Sequence, residues 1–143
     1  MSTEPRWGDK PSPDGTQVYE ATFDGRLEDV TDARLTAETF LVRLARTVPP
    51  SACEHWDDIL LVVAELAANA VQYAPGPFRL SLRRTFDGVH VTLGDTSTEP
   101  PAPRSFRPGK GGGIGWYLIQ TLGEQVSVVV REDGKDVHVF LPW

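Results

Sequence analysis

The sequence predicts a two-layer α/β sandwich of the α+β kind, in which a mixed, mainly antiparallel sheet carries helices on one face. Two alternating runs, RLSLRRTF and VHVTLGD, flank Asp87-Gly88, and a second pair, QVSVVVR and DVHVFLPW, flanks Asp133-Gly134. Asp-Gly between alternating runs is the strongest short-range signal for a hairpin, and hairpins pair antiparallel. Ahead of the first hairpin stand two segments whose apolar residues recur at helical spacing, giving the order β-α-α-β-β-loop-α-β-β. At 143 residues the chain makes one domain.

Taken in order, residues 1–15 combine three prolines with glycines and charges, the composition of a disordered tail ahead of a domain spanning 16–143. QVYEATF alternates Val18, Glu20 and Thr22 with Tyr19, Ala21 and Phe23 and reads as a strand. Thr31 is placed to cap a helix in which Ala33, Ala37, Phe40, Leu41, Leu44 and Val48 share a face. Pro49-Pro50 ends it, and the capping box Ser51-x-x-Glu54 opens a longer helix that stops at Pro75-Gly76-Pro77. After the first hairpin, residues 97–113 hold four prolines and four glycines without periodicity, a long loop of the kind that is functional or mobile. A short helix over about 114–122 follows, with Gly123 as its C′ residue, and the second hairpin closes the chain.

The formal net charge of −6 excludes a nucleic-acid binder that relies on basic groups to meet phosphate. A single cysteine, Cys53, excludes an internal disulfide and fits a reducing cytoplasm, and no run has the length of a membrane span. His55, His90 and His138 show no shared metal-ligand or phospho-acceptor spacing and read as scattered surface positions.

Chemistry concentrates in three places. On the long helix, Glu65, Asn69 and Gln72 form a narrow polar stripe on an otherwise apolar surface, with no Lys or Arg beside them. Glu65 and Asn69, one turn apart, point into a common cavity in the functional reading and form a modest exposed edge in the structural one. Asp95 shares strand parity with Val89, Val91 and Leu93, so its carboxylate emerges on the core side and needs a donor. If the strand stops one residue early, Asp95 is instead a turn residue with an Asx bond. Third, GKGGGIG has neither the Lys-Ser/Thr ending of a Walker A loop nor the third glycine of the dinucleotide fingerprint. What it offers is Gly111-x-Gly113-x-Gly115 at a helix N-terminus, with Arg104, Arg107 and Lys110 nearby, a place suited to anionic phosphate.

ELAANAVQYA, GDTSTEPPAP and GKGGGIGWYLIQTLGEQVSV in this order, with GKDVHVFLP closing the chain, resemble the N-box, adenine box, glycine box and last strand of Bergerat-fold (GHKL) ATPases. The chain looks most like the anti-sigma-factor serine/threonine kinases of bacterial, especially actinobacterial, partner-switching systems, over residues 17–143. The resemblance implies ATP and Mg²⁺ as cofactors. It implies Glu65 as the general base, Asn69 as the Mg²⁺ ligand and Asp95 as acceptor of the adenine amino hydrogen, with Ser97 beside it. Gly111, Gly113, Ile114 and Gly115 would wrap the phosphates, and Arg104 and Lys110 would cover them as part of a lid.

Three positions depart from the pattern. Tyr73 stands where relatives often have His and reads as core. Ser97 replaces a glycine of the wider superfamily, and Asp136 stands where relatives often have Thr, at the cost of a hydrogen bond near the nucleotide. The implied activity is a cytoplasmic protein kinase that phosphorylates a small antagonist (an anti-anti-sigma protein) and sequesters a sigma factor, with homodimer formation left open. A non-catalytic ATP-binding partner switch and a detached histidine-kinase catalytic domain are the alternatives.

Overall fold

The fold is seen in a computed structural model, described for residues 6–11, 17–99 and 114–143. Its strands are β1 (Arg6–Pro11), β2 (Gln17–Phe23), β3 (Phe78–Arg84), β4 (Gly88–Asp95), β5 (Gln125–Arg131) and β6 (Gly134–Pro142). Its helices are α1 (Asp29–Thr47), α2 (Cys53–Tyr73) and α3 (Ile114–Leu122). The sheet runs β1-β2-β3-β4-β6-β5. Every described pair is antiparallel, so the predicted two-layer sandwich holds while the mixed character expected of its sheet does not. The tail expected through residue 15 also gives way in part, because Arg6–Pro11 pairs with β2 as an edge strand. Backbone hydrogen bonding needs a partner edge, which composition does not reveal.

Period two then sorts the sheet into faces. Tyr19, Ala21, Phe23, Leu80, Leu82, Val89, Val91, Leu93, Val137, Val139 and Leu141 lie in one buried core with the helices. From α1 that core takes Ala33, Ala37, Phe40, Leu41 and Leu44, as the periodicity predicts. Helix α2 is central, in contact with both α1 and α3, which explains why Leu60, Val62 and Ala67 are buried along with Ile59, Val63, Leu66 and Ala70. Tyr73, expected in the core, is half-buried at the end of that helix.

Both predicted helix caps are replaced. Helix α1 starts at Asp29, two residues before Thr31, and its N-cap Glu28 makes no side-chain cap bond. There Asp29 Oδ2 accepts the amides of Gly25 at 3.0 Å and Arg26 at 2.8 Å. The N-cap of α2 is Ala52, also without a side-chain cap bond, because the Ser51 hydroxyl donates instead to the carbonyl of Trp143. The Trp143 indole N–H in turn donates to the Val48 carbonyl at 2.7 Å. This long-range tie between the end of β6 and the α1–α2 connection outcompetes the local box. Gly123 follows α3 without the left-handed backbone of a C′ cap, positive φ being confined to Gly25 and Gly76 among the described residues. Its requirement is steric, since a Cβ there would lie 2.7 Å from Val139 Cγ1.

Candidate functional site

Asp95 ends β4 on the helix-covered face, as its parity predicts, and is 6% exposed. Its register partner on β6 is Lys135, itself 6% exposed. Residues opposite one another on neighbouring strands share a face, and the Lys135 ammonium lies 3.0 Å from Asp95 Oδ1 and 2.9 Å from Oδ2. The amide of Ser97 donates to Oδ1 at 2.9 Å. Both sequence readings of Asp95 are therefore realised together: it is a buried carboxylate with a donor, and it closes an Asx turn. Lys135 is the partner sequence reasoning missed. It shares parity with Val137, Val139 and Leu141, the one signal that could have placed it inside.

Asp136, singled out in the sequence, belongs to the other face. It pairs with Gly94 in register and accepts hydrogen bonds from Arg131 Nε at 3.2 Å and from the same guanidinium's terminal nitrogen at 3.3 Å. Lys135 and not Asp136 is what stands at that level on the core side.

Glu65 and Asn69 are half-buried on α2, and Gln72 is exposed. Gly115, in the first turn of α3, is buried against them. A Cβ at Gly115 would collide with Glu65 Oε2 and lie 3.7 Å from Asn69 Oδ1. The third of the spaced glycines thus meets the polar stripe directly, and any side chain there would displace the Glu65 carboxylate. Among the described residues no cation pairs with Glu65. Ile114 is the first residue of α3. Arg104, Arg107, Lys110, Gly111, Gly113 and most of the predicted 97–113 lid lie outside the described residues.

Oxygen donors such as the Asn69 amide and the Glu65 carboxylate suit Mg²⁺, a hard ion that keeps water and phosphate oxygens as its remaining ligands. No group of three or more His, Cys, Asp or Glu among the described residues forms an all-protein metal cage.

Two of the three histidines are not scattered, while His55 stands apart at the start of α2 against Ser51 and the Trp143 carbonyl. On the sheet face turned away from the helices, His90 and His138 stack with ring centroids 5.2 Å apart, and His90 also stacks on Phe140 at 4.2 Å. Arg83 donates to His90 Nδ1 at 3.1 Å, which leaves the proton of neutral His90 on Nε2, 3.0 Å from His138 Nδ1. Burial, then Arg83 and His138, push the His90 pKa down from 6.5 to about 4.

A buried carboxylate at a strand end, and Gly115 at a helix start set against a polar stripe, are the features this α+β fold presents. Residues 23–141 match the family of histidine kinase-like ATPase domains, and the chain belongs to that family. No curated protein matches the chain. No helix among the described residues is long and apolar enough to cross a membrane.

Proposed function

We propose that this ATPase-family domain is an ATP-dependent protein serine/threonine kinase of the anti-sigma-factor type, which phosphorylates a small antagonist protein and sequesters a sigma factor. The observation that supports it is the contact of Gly115 with Glu65 and Asn69. It sets a carboxylate with no counter-charge among the described residues at the start of a glycine-led helix, where backbone N–H groups favour phosphate. Bound Mg²⁺ supplies positive charge to the phosphate oxygens. In this reading Asn69 holds the ion, Asp95 accepts the adenine amino hydrogen and Glu65 takes the proton of the attacking hydroxyl. Gly111, Gly113 and the amide of Ile114 line the phosphates, and Arg104 and Lys110 cover them.

The test is single-turnover transfer from saturating ATP to a purified antagonist. Glu65→Gln is expected to keep ATP affinity while transfer falls roughly 10²–10⁴-fold, the range for loss of a general base. Near-normal transfer by that variant would remove Glu65 from catalysis. A wild-type protein that binds ATP and transfers to no antagonist would favour the non-catalytic partner switch.

A further inference from the structure

The Lys135–Asp95 pair bears on which base the site accepts. An ammonium has three N–H donors and no acceptor. Lys135 donates to Asp95 Oδ1 at 3.0 Å and to the Ser97 carbonyl at 3.4 Å, and its ammonium lies 2.9 Å from Asp95 Oδ2 as an ion pair. Every described partner of the ammonium lies within the protein, which turns its donors toward Asp95 and Ser97. On Asp95, Oδ1 accepts both Lys135 and the Ser97 amide, whereas Oδ2 faces the Lys135 ammonium as an ion pair and takes no other partner among the described residues. An ionised carboxylate is acceptor-only. The group offered to a ligand here is therefore a lone pair on Oδ2, with no N–H donor from this pair beside it.

We infer that Lys135 is a positioning residue for base selection: by holding Asp95 as a clamped acceptor it makes the site choose a 6-amino purine over a 6-oxo purine. This rests on the ATP-binding reading of the site. An exocyclic amino group donates to Oδ2. A 6-oxo group in the same place sets oxygen against oxygen, and no donor from Lys135 relieves the repulsion. Without Lys135 the buried carboxylate loses its counter-charge, and buried carboxyl groups in that condition take up a proton. A protonated carboxyl can donate, and the barrier against a 6-oxo base falls.

Calorimetry with ATP and ITP, on the wild type and on Lys135→Met, tests this. The expected wild-type preference for ATP is about a hundredfold or more, as for a site built around a hydrogen bond its competitor cannot make. Lys135→Met should weaken ATP binding and cut the ATP:ITP affinity ratio at least tenfold. Breaking a buried pair can unfold a small domain, so the double variant Asp95→Asn/Lys135→Met is the second arm. It exchanges the pair for neutral groups of similar volume, and its Asn can turn an amide donor toward a 6-oxo group, so its ratio should approach or pass one. A wild-type protein that binds ATP and ITP alike overturns the inference. So does a ratio left unchanged in the folded variants while both affinities fall together, which makes Lys135 structural only. A wild-type protein that binds neither nucleotide overturns the ATP-binding reading itself.

Discussion

Asp95 lies 6% exposed between the Lys135 ammonium and the Ser97 amide, whereas Glu65, half-buried on α2, has no described cation against it and is confronted by the bare Gly115. The first carboxylate is neutralised within the fold, so its charge is a structural component before any ligand arrives. Nothing of the kind supports the second, and a group held that way is available to a ligand's metal or proton. The end built by β4 and β6 should thus respond to mutation through folding and base choice. The end built by α2 and α3 should respond through turnover.

The largest separation should appear in stability without nucleotide. Lys135→Met leaves a buried carboxylate unpaired and should cost about 3–5 kcal/mol, while Glu65→Gln should stay within about 0.5 kcal/mol of wild type. Urea unfolding of both variants measures the difference, and equal losses would erase the contrast. Next, Gly115→Ala should lower phosphoryl transfer about a hundredfold, as displacement of a catalytic group by an ångström does. Its stability should change little, because the Cβ meets the mobile end of Glu65. Single-turnover transfer beside thermal unfolding checks this.

Asp95→Asn should weaken ATP binding by about 1–3 kcal/mol, since the amide can place a donor where the base amino group needs an acceptor. Equal affinities by calorimetry would take Asp95 out of base recognition. The smallest effect belongs to the far face of the sheet. With the His90 pKa lowered from 6.5 to about 4, the unfolded chain holds a proton between those values that the folded chain refuses. Stability should therefore fall as pH drops through that window and show no such slope above it. His90→Gln should flatten the slope, read from urea midpoints at neutral and acid pH.

Hairpins announced by Asp87-Gly88 and Asp133-Gly134, and helices announced by apolar spacing, were legible because each is a local pattern. So was the side on which Asp95 emerges, since parity along one strand settles it. The caps were not legible, because Ser51 bonds to a residue 92 positions away. Nor was β1, which lies in a stretch whose prolines and glycines describe a tail until the edge of β2 is in view. Lys135 was hidden for a related reason: a lysine just after a turn reads as solvent-exposed, and its burial follows only once β6 is registered on β4. The His90–His138 stack likewise needs two strands and their register.

That register carries a consequence for how such a site could diversify. Lys135 and Asp136 are neighbours of opposite charge, and β6 turns the first toward the helices and the second away. The choice between them is a matter of odd and even. Delete one residue from the turn at Glu132 and Asp133, and a β6 that slipped by one would set Asp136 against Asp95, exchanging an ion pair for two facing acids. The backbone guards against this: Gly134 sits so close to the Asp95 carbonyl that a Cβ would strike it, and at Gly94 a Cβ would lie 2.6 Å from Asp136 Oδ1. The length of one short turn thus acts as a sign bit for the charge at the base end. A lineage able to change the turn and those glycines together could invert that sign without replacing Asp95 itself.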